Sequence, residues 1–341
     1  MAATVGRPSR SSEGGTSPRR YRIGLRTYRR IVAVALLLLC AIVVTGAAVR
    51  LTGSGLGCSS WPNCEPGEFI EIGDPNQAIE QLNRLFTGAV SLAVIAAVLG
   101  ALRLREPRRD LTWLSWGLVA GVLAQIVLGG ITVLVDLHPV AVAGHFLLSM
   151  ILVCDATVLL WRTLPERAAT TDETIDPTGT DPDSTGADGT DTALSWAAMA
   201  SGAVVLAVTG PLVTGSGPHA GDLEAPRFGV AIPDAARIHS LSAWLFCALV
   251  VVLLVRMRMG DRPADTLRRG TVLLGVIVAQ GALGYLQYER GIPAELVIGH
   301  IVGATAVAVA ATWFQCGLLD PRGSGRSSHA PQEGAVRGGR G

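Results

Sequence analysis

Ala124-Gln125-Ile126-Val127-Leu128-Gly129, followed by Gly144-His145, returns downstream as Ala279-Gln280-Gly281-Ala282-Leu283-Gly284, followed by Gly299-His300. Ala, Gln, Leu, Gly, Gly and His recur in one frame, every pair 155 residues apart. A match held over so long a period marks a duplicated structural unit. Both copies lie in apolar sequence of membrane-spanning length, so the duplication places one imidazole near the start of an equivalent span in each half.

Composition supports a membrane chain. Hydrophobic residues make up 49% and charged residues 16% of 341 positions, and the charges fall in blocks. Between those blocks the uncharged runs are 31 to 49, 85 to 102, 111 to 135, 137 to 154, 192 to 221, 238 to 255, 270 to 288 and 296 to 319. Each approaches or exceeds the roughly 20 residues that cross a bilayer as a helix. The expected fold class is an all-α membrane protein of eight transmembrane helices, arranged as two parallel four-helix-bundle repeats.

All 28 basic residues are Arg. If the spans alternate, 23 fall on one side, and the other keeps Arg50, Arg84, Arg227, Arg237 and Arg290. The positive-inside rule then puts both termini in the cytoplasm of a multi-pass cell-membrane protein. The first apolar run lacks a convincing small-residue cleavage site and reads as an uncleaved span. Residues 1 to 30 form an Arg-rich tail, 31 to 163 the first four-helix half and 194 to 319 the second. Residues 320 to 341 form a polar tail. Between the halves, 164 to 193 is an acidic linker whose core, 168 to 192, carries seven acids and no base and reads as disordered. Each half begins with an inside-to-outside span, so the repeats are parallel and not inverted.

The repeat extends beyond its two motifs. Thr45-Gly46 and Thr52-Gly53-Ser54-Gly55 match Thr209-Gly210 and Thr214-Gly215-Ser216-Gly217 with a two-residue gap. In the next span His239 precedes His300 by 61 residues and Asn83 precedes His145 by 62, which sets His239 opposite Asn83. One half therefore offers His239 with His300, the other Asn83 with His145, all four in the outer leaflet. A single His in a bilayer is most simply a hydrogen-bonded packing residue. Four equivalent positions, three of them His, point instead to axial ligation of haem iron between facing helices of a bundle.

Glu80 distinguishes the halves. It lies three residues before Asn83 on the same helical face, whereas Ala236 stands three before His239. It can be a carboxylate aimed at a haem edge in the first half, or an acid paired with Arg84 at i+4. Cys40, Cys154, Cys247 and Cys316 read as small apolar packing residues inside spans. Cys58 and Cys64 flank a short outer loop that can close as a disulfide on an oxidising face or stay as two thiols. No zinc pattern, covalent haem-attachment motif or nucleic-acid-binding feature is present. His138 and His219 read as loop histidines or propionate contacts, His329 as a tail residue. Asp155, roughly 15 Å deeper along its helix than His145, reads as an acid near Arg162 or as part of a proton route.

Gly57-Cys58, Trp61-Pro62 and Cys64 after the Thr-Gly-Ser-Gly turn, Glu80 with Asn83-Arg84, both Gly-His helices, and Gly217-Pro218-His219-Ala220-Gly221-Asp222 together resemble haem A synthase of the bacterial type. The resemblance spans about residues 30 to 318. It implies oxidation of a haem O ring methyl, through a hydroxymethyl stage, to the formyl group of haem A. It further implies a haem b cofactor on His239 and His300, and substrate haem O near His145 and Asn83. Glu80 would be the catalytic residue, and the partners a haem O synthase and a haem A terminal oxidase. Family members usually carry His where this chain has Asn83, and many have a cysteine pair in the third outer loop that is missing here. The competing readings are a diheme b-type cytochrome that only relays electrons, which needs neither Glu80 nor the outer cysteines, and a carrier with parallel repeats.

Overall fold

The computed structural model describes residues 22–58, 61–64, 73–165, 189–260 and 262–320. The centre of the acidic linker and most of both tails lie outside the described residues. Eight helices carry the fold: α1 (Leu25–Leu51), α2 (Pro75–Leu102), α3 (Arg109–Leu134), α4 (Pro139–Arg162), α5 (Gly189–Ser216), α6 (Ile232–Met259), α7 (Ala264–Glu289) and α8 (Ala294–Leu319). Each is long and apolar enough to cross a membrane. They overrun the uncharged sequence because charged turns extend them, as with Arg26, Arg29 and Arg30 in α1. Helix α5 likewise starts at Gly189, inside the stretch read as linker.

Local chemistry sets the helix starts. The Asp74 carboxylate accepts from the backbone N–H groups of Asn76 and Gln77 at 2.6 and 3.2 Å, and Pro75 takes the first position of α2, where a missing N–H costs nothing. His138 caps α4 through Nδ1, 3.4 Å from Val140 N, with Pro139 behind it. Helix α5 departs from regular α geometry: a π-helical turn occupies Val205–Thr209. Pro211 follows after Gly210 and cannot donate to the preceding turn, which accounts for the local rearrangement. The first-half counterpart of Pro211 is Ala47, and α1 runs through unbroken.

Each half has its own apolar core. Tyr28, Val32, Val94, Leu118, Val153 and Leu159 anchor the first, and Phe246, Val250, Leu253, Met257, Leu273 and Phe314 the second. The hydroxyls of Tyr28 and Ser115, both buried, meet at 2.8 Å and tie α1 to α3. The halves join through α1, α4 and α8, with Trp161 and Trp313 edge to face at 4.9 Å. Large apolar side chains cover the outside, including Leu37, Leu92 and Trp113. Such a surface would be a liability in water and is the expected one against lipid.

At the end opposite the Trp pair, the halves interlock. Arg50 donates to the carbonyl of Thr214 at 2.7 Å, and Gly55 N–H to the carbonyl of Gly221 at 3.0 Å. Gly221 has φ +105°, a conformation that residues with a Cβ rarely adopt, and Leu137 packs with Ala220 and Ala225 beneath the crossing.

Candidate functional site

The Gln, Leu and Gly residues of the repeated motif pack around the helix that carries the His. Gln125 on α3 donates from Nε2 to the carbonyl of His145 on α4 at 3.1 Å, and Gln280 on α7 donates to the carbonyl of His300 on α8 at 2.7 Å. A Cβ on Gly129 would stand 3.3 Å from His145 Cε1, and one on Gly284 3.1 Å from His300 Cε1. These glycines give the imidazoles room. Leu128 and Leu283 pack on Gly144 and Gly299, at 3.7 and 3.3 Å from where a Cβ would sit. The motif is thus a clamp between neighbouring helices that sets the height and direction of one ring.

The facing helices repeat the pattern with one change. Thr209, at the end of the π turn, lies 3.0 Å from His239 Nδ1, which leaves Nε2 for a partner elsewhere. Thr45, its counterpart, donates to Asn83 Oδ1 at 2.8 Å, so the Asn83 amide group is the part left over. The four positions stand six to eight residues into α2, α4, α6 and α8, at the interlocked end.

In the second half the rings of His239 and His300 have centres 6.2 Å apart. Two metal–imidazole bonds of about 2 Å, with about 1 Å more from each nitrogen to its ring centre, require a separation of about 6 Å. The pair therefore fits a hexacoordinate iron between them. Buried polar atoms without a hydrogen-bond partner also recur in matched pairs: Nδ1 of His145 and His300, and Oε1 of Gln125 and Gln280. Nδ1 of His145 and His300 lies beside Gly129 and Gly284, and Oε1 of Gln280 beside Gly303, so these atoms sit in the helix–helix seam. Among the described residues no group of three or more His, Cys, Asp or Glu could hold a metal ion. Two imidazoles without further protein ligands suit an iron whose equatorial ligands come from a macrocycle.

The first half carries a lid that the second lacks. Cys58 and Cys64 form a disulfide, and Trp61 in the closed loop lies on Gly130 of α3, its ring atoms 2.7 to 3.0 Å from where a Cβ would be. Gly130 adjoins the glycine that seats His145. Glu80, 5% exposed, holds this loop: Oε2 accepts from Cys58 N–H at 2.8 Å, and Oε1 from Arg84 Nε and Nη2 at 3.1 and 2.5 Å. Arg84 in turn donates to the carbonyl of Asn63 at 3.3 Å. The i+4 pairing of Glu80 with Arg84 is thus present, but buried beneath the lid and bonded to it. At the positions equivalent to Gly130 and Arg84 the second half has Tyr285 and Ser240, hydrogen-bonded to each other at 2.7 Å.

The remaining candidates lie outside this arrangement. His138 is a helix cap, and His219 Nε2 contacts the Ile292 carbonyl at 2.8 Å in the loop before α8. Asp155 faces α3, its Oδ2 2.9 Å from where a Cβ on Gly117 would stand, and Cys40, Cys154, Cys247 and Cys316 are free cysteines within helices. His329 lies outside the described residues. The roles of Thr45, Thr209 and Trp61 are not apparent from the sequence. The two threonines carried a signal, their place in the repeat, but only the packing shows which atoms they meet.

The chain is 31% identical over 125 residues to a heme A synthase of Bacillus pumilus, covering 36% of this chain and 40% of the relative. It is 26% identical over 162 residues to a heme A synthase of Shewanella oneidensis, covering 42% and 48%. It therefore spans less than half the length of either relative. A protoheme IX farnesyltransferase of Chloroflexus aurantiacus matches at 37% over 78 residues, 23% of this chain and 13% of that protein. The COX15-CtaA family model, cytochrome oxidase assembly protein, matches residues 29–78 and 73–312. With the duplicated helices, the paired imidazoles and this match over most of its length, the chain belongs to the cytochrome oxidase assembly protein family that includes the haem A synthases.

Proposed function

We propose that the protein is a haem A synthase, an oxidoreductase that converts a ring methyl of haem O through a hydroxymethyl stage to the formyl group of haem A. The observation that carries this reading is the asymmetry of two otherwise matched sites. One has paired imidazoles and Ala236, and the other has Asn83, His145 and a buried carboxylate under a disulfide lid.

His239 and His300 would hold haem b, whose chemistry is one-electron transfer. Thr209 holds His239 in one ring orientation, and Gln280 with Gly284 holds His300. In the first half His145 would bind the iron of substrate haem O. Asn83 turns its carbonyl oxygen to Thr45 and offers only an N–H donor, which does not ligate iron, so the face of the macrocycle beside Asn83 stays open. Trp61 and the disulfide loop cover Gly130, beside the glycine that seats His145. Glu80 can hold a proton or stabilise positive charge at the reacting carbon. A haem O synthase upstream and a haem A oxidase downstream complete the sequence of reactions.

The test is to purify the full chain from cells that make haem O and identify the extracted pigments by mass. Haem b together with haem A is the expected outcome. Haem b with unaltered haem O would indicate an electron relay, and absence of any haem a carrier.

In this reading the interlocked end faces away from the cytoplasm, in the cell membrane. Single cysteines introduced at the exposed positions Thr52 and Gly73 of a chain cleared of its other cysteines should react with an impermeant maleimide in whole cells, and cysteines at 168–192 only after lysis. The reverse pattern would invert the orientation.

A further inference from the structure

A second concavity begins two residues past His300 and runs away from the histidines. Between α1 of the first half and α7 and α8 of the second runs a cleft of about 550 Å³, apolar along Val44, Val272, Val302 and Val309, with Arg268 and Arg269 at one end. From Val302 to Trp313 it follows α8 for eleven residues, roughly 16 Å at ~1.5 Å per residue. Both arginines stand in the first two turns of α7, at the end opposite the paired imidazoles, so the cleft runs from mid-membrane to the Arg-rich face.

Arg269 is held in place. Its guanidinium carbon lies 4.9 Å from the centre of the Trp161 ring, and a Cβ on Gly317 would stand 3.1 Å from its Cδ and Cζ, so the bare backbone there makes room for the side chain. Arg268 is largely exposed, with a long contact of 3.8 Å to Asp265. The first half carries no such charges. Their counterparts 155 residues earlier are Trp113 and Leu114, and the counterpart of Ala310 in the cleft wall is Asp155, which would repel an anion. An apolar trench ending at two arginines, in the second half alone, matches an amphiphile with an anionic head and a long chain.

We propose that this cleft binds one anionic glycerophospholipid, its phosphate on Arg268 and Arg269 and an acyl chain along α8. Its assignment to the inner leaflet rests on the orientation proposed above; binding itself does not depend on any haem. Arginines at a cytoplasmic helix end also serve to orient a span, but that role requires no cleft beneath them.

Native mass spectrometry of the full-length protein, released from phosphatidylcholine nanodiscs after titration with phosphatidylglycerol, tests this. One retained phosphatidylglycerol per chain is expected, with a preference over phosphatidylcholine of about tenfold or more. The double variant Arg268→Gln/Arg269→Gln should abolish that preference, and Arg258→Gln, an exposed arginine off the cleft, should leave it. Ala306→Leu narrows the trench while keeping both charges and should also reduce retention. Circular dichroism and elution volume verify that each variant is folded. Equal retention of the two lipids, an unchanged preference in the double variant, or full displacement by glycerol phosphate would overturn the proposal; the last would mean a phosphate site without a chain.

Discussion

Replacing either His239 or His300 with Ala is expected to reduce retained haem b by about tenfold or more, because loss of a direct ligand should cost at least what outer-shell changes cost at metal sites. The residual pigment should lose its low-spin spectrum as the iron drops to five ligands. The bundle should still insert, since its buried cores are built from other side chains. Two glycine variants grade the effect. Gly284→Ala adds a methyl 3.1 Å from His300 Cε1 and should shift the ring, giving a smaller loss in the same direction; Gly281→Ala, with nothing within 4 Å, should change nothing. Wild-type spectra in both His variants would exclude this pair as the haem site.

Glu80→Gln is expected to leave haem b in place and to lower haem A output by tenfold or more, about 1.4 kcal/mol of transition-state stabilisation. The amide oxygen of Gln can still accept from Cys58 N–H, so the loop keeps one anchor while the negative charge opposite Arg84 disappears. Accumulation of the hydroxymethyl intermediate would place the defect in the second oxidation. The competing role, a strut for the lid, predicts something else: Arg84→Gln should then impair the protein as much as Glu80→Gln, and thiol titration should find the Cys58–Cys64 loop opened in both. Unchanged haem A yields from Glu80→Gln would falsify the catalytic role and leave the carboxylate as the tie between α2 and the loop. The second half, with Ala236 at this position, shows that a matched bundle forms without it.

The spans and the duplication were legible because they rest on features local to the chain: hydropathy over about 20 residues, and identity at a fixed period. The pairing of Asn83 with His239 was legible from their nearly equal distances to the repeated Gly-His, 62 residues before His145 and 61 before His300. Helix ends were less so. Charged residues can extend a helix beyond the membrane, and the hydropathy of Arg26 or Asp191 gives no sign that they belong to α1 and α5. The π turn also escaped notice, although Pro211 was its visible cause.

The sequence by itself determined that this is a membrane protein of eight spans built from two related halves, one with two imidazoles and the other with a single imidazole, an Asn and an acid. Each of those properties is additive along the chain. Only the tertiary structure decided that His239 and His300 stand 6.2 Å apart, that Glu80 bonds simultaneously to Arg84 and to the disulfide loop, and that two arginines of α7 end a cleft walled partly by α1. These are distances between helices far apart in the chain. They are set by how side chains such as Gly284, Thr209 and Trp61 interlock, and no residue encodes them alone.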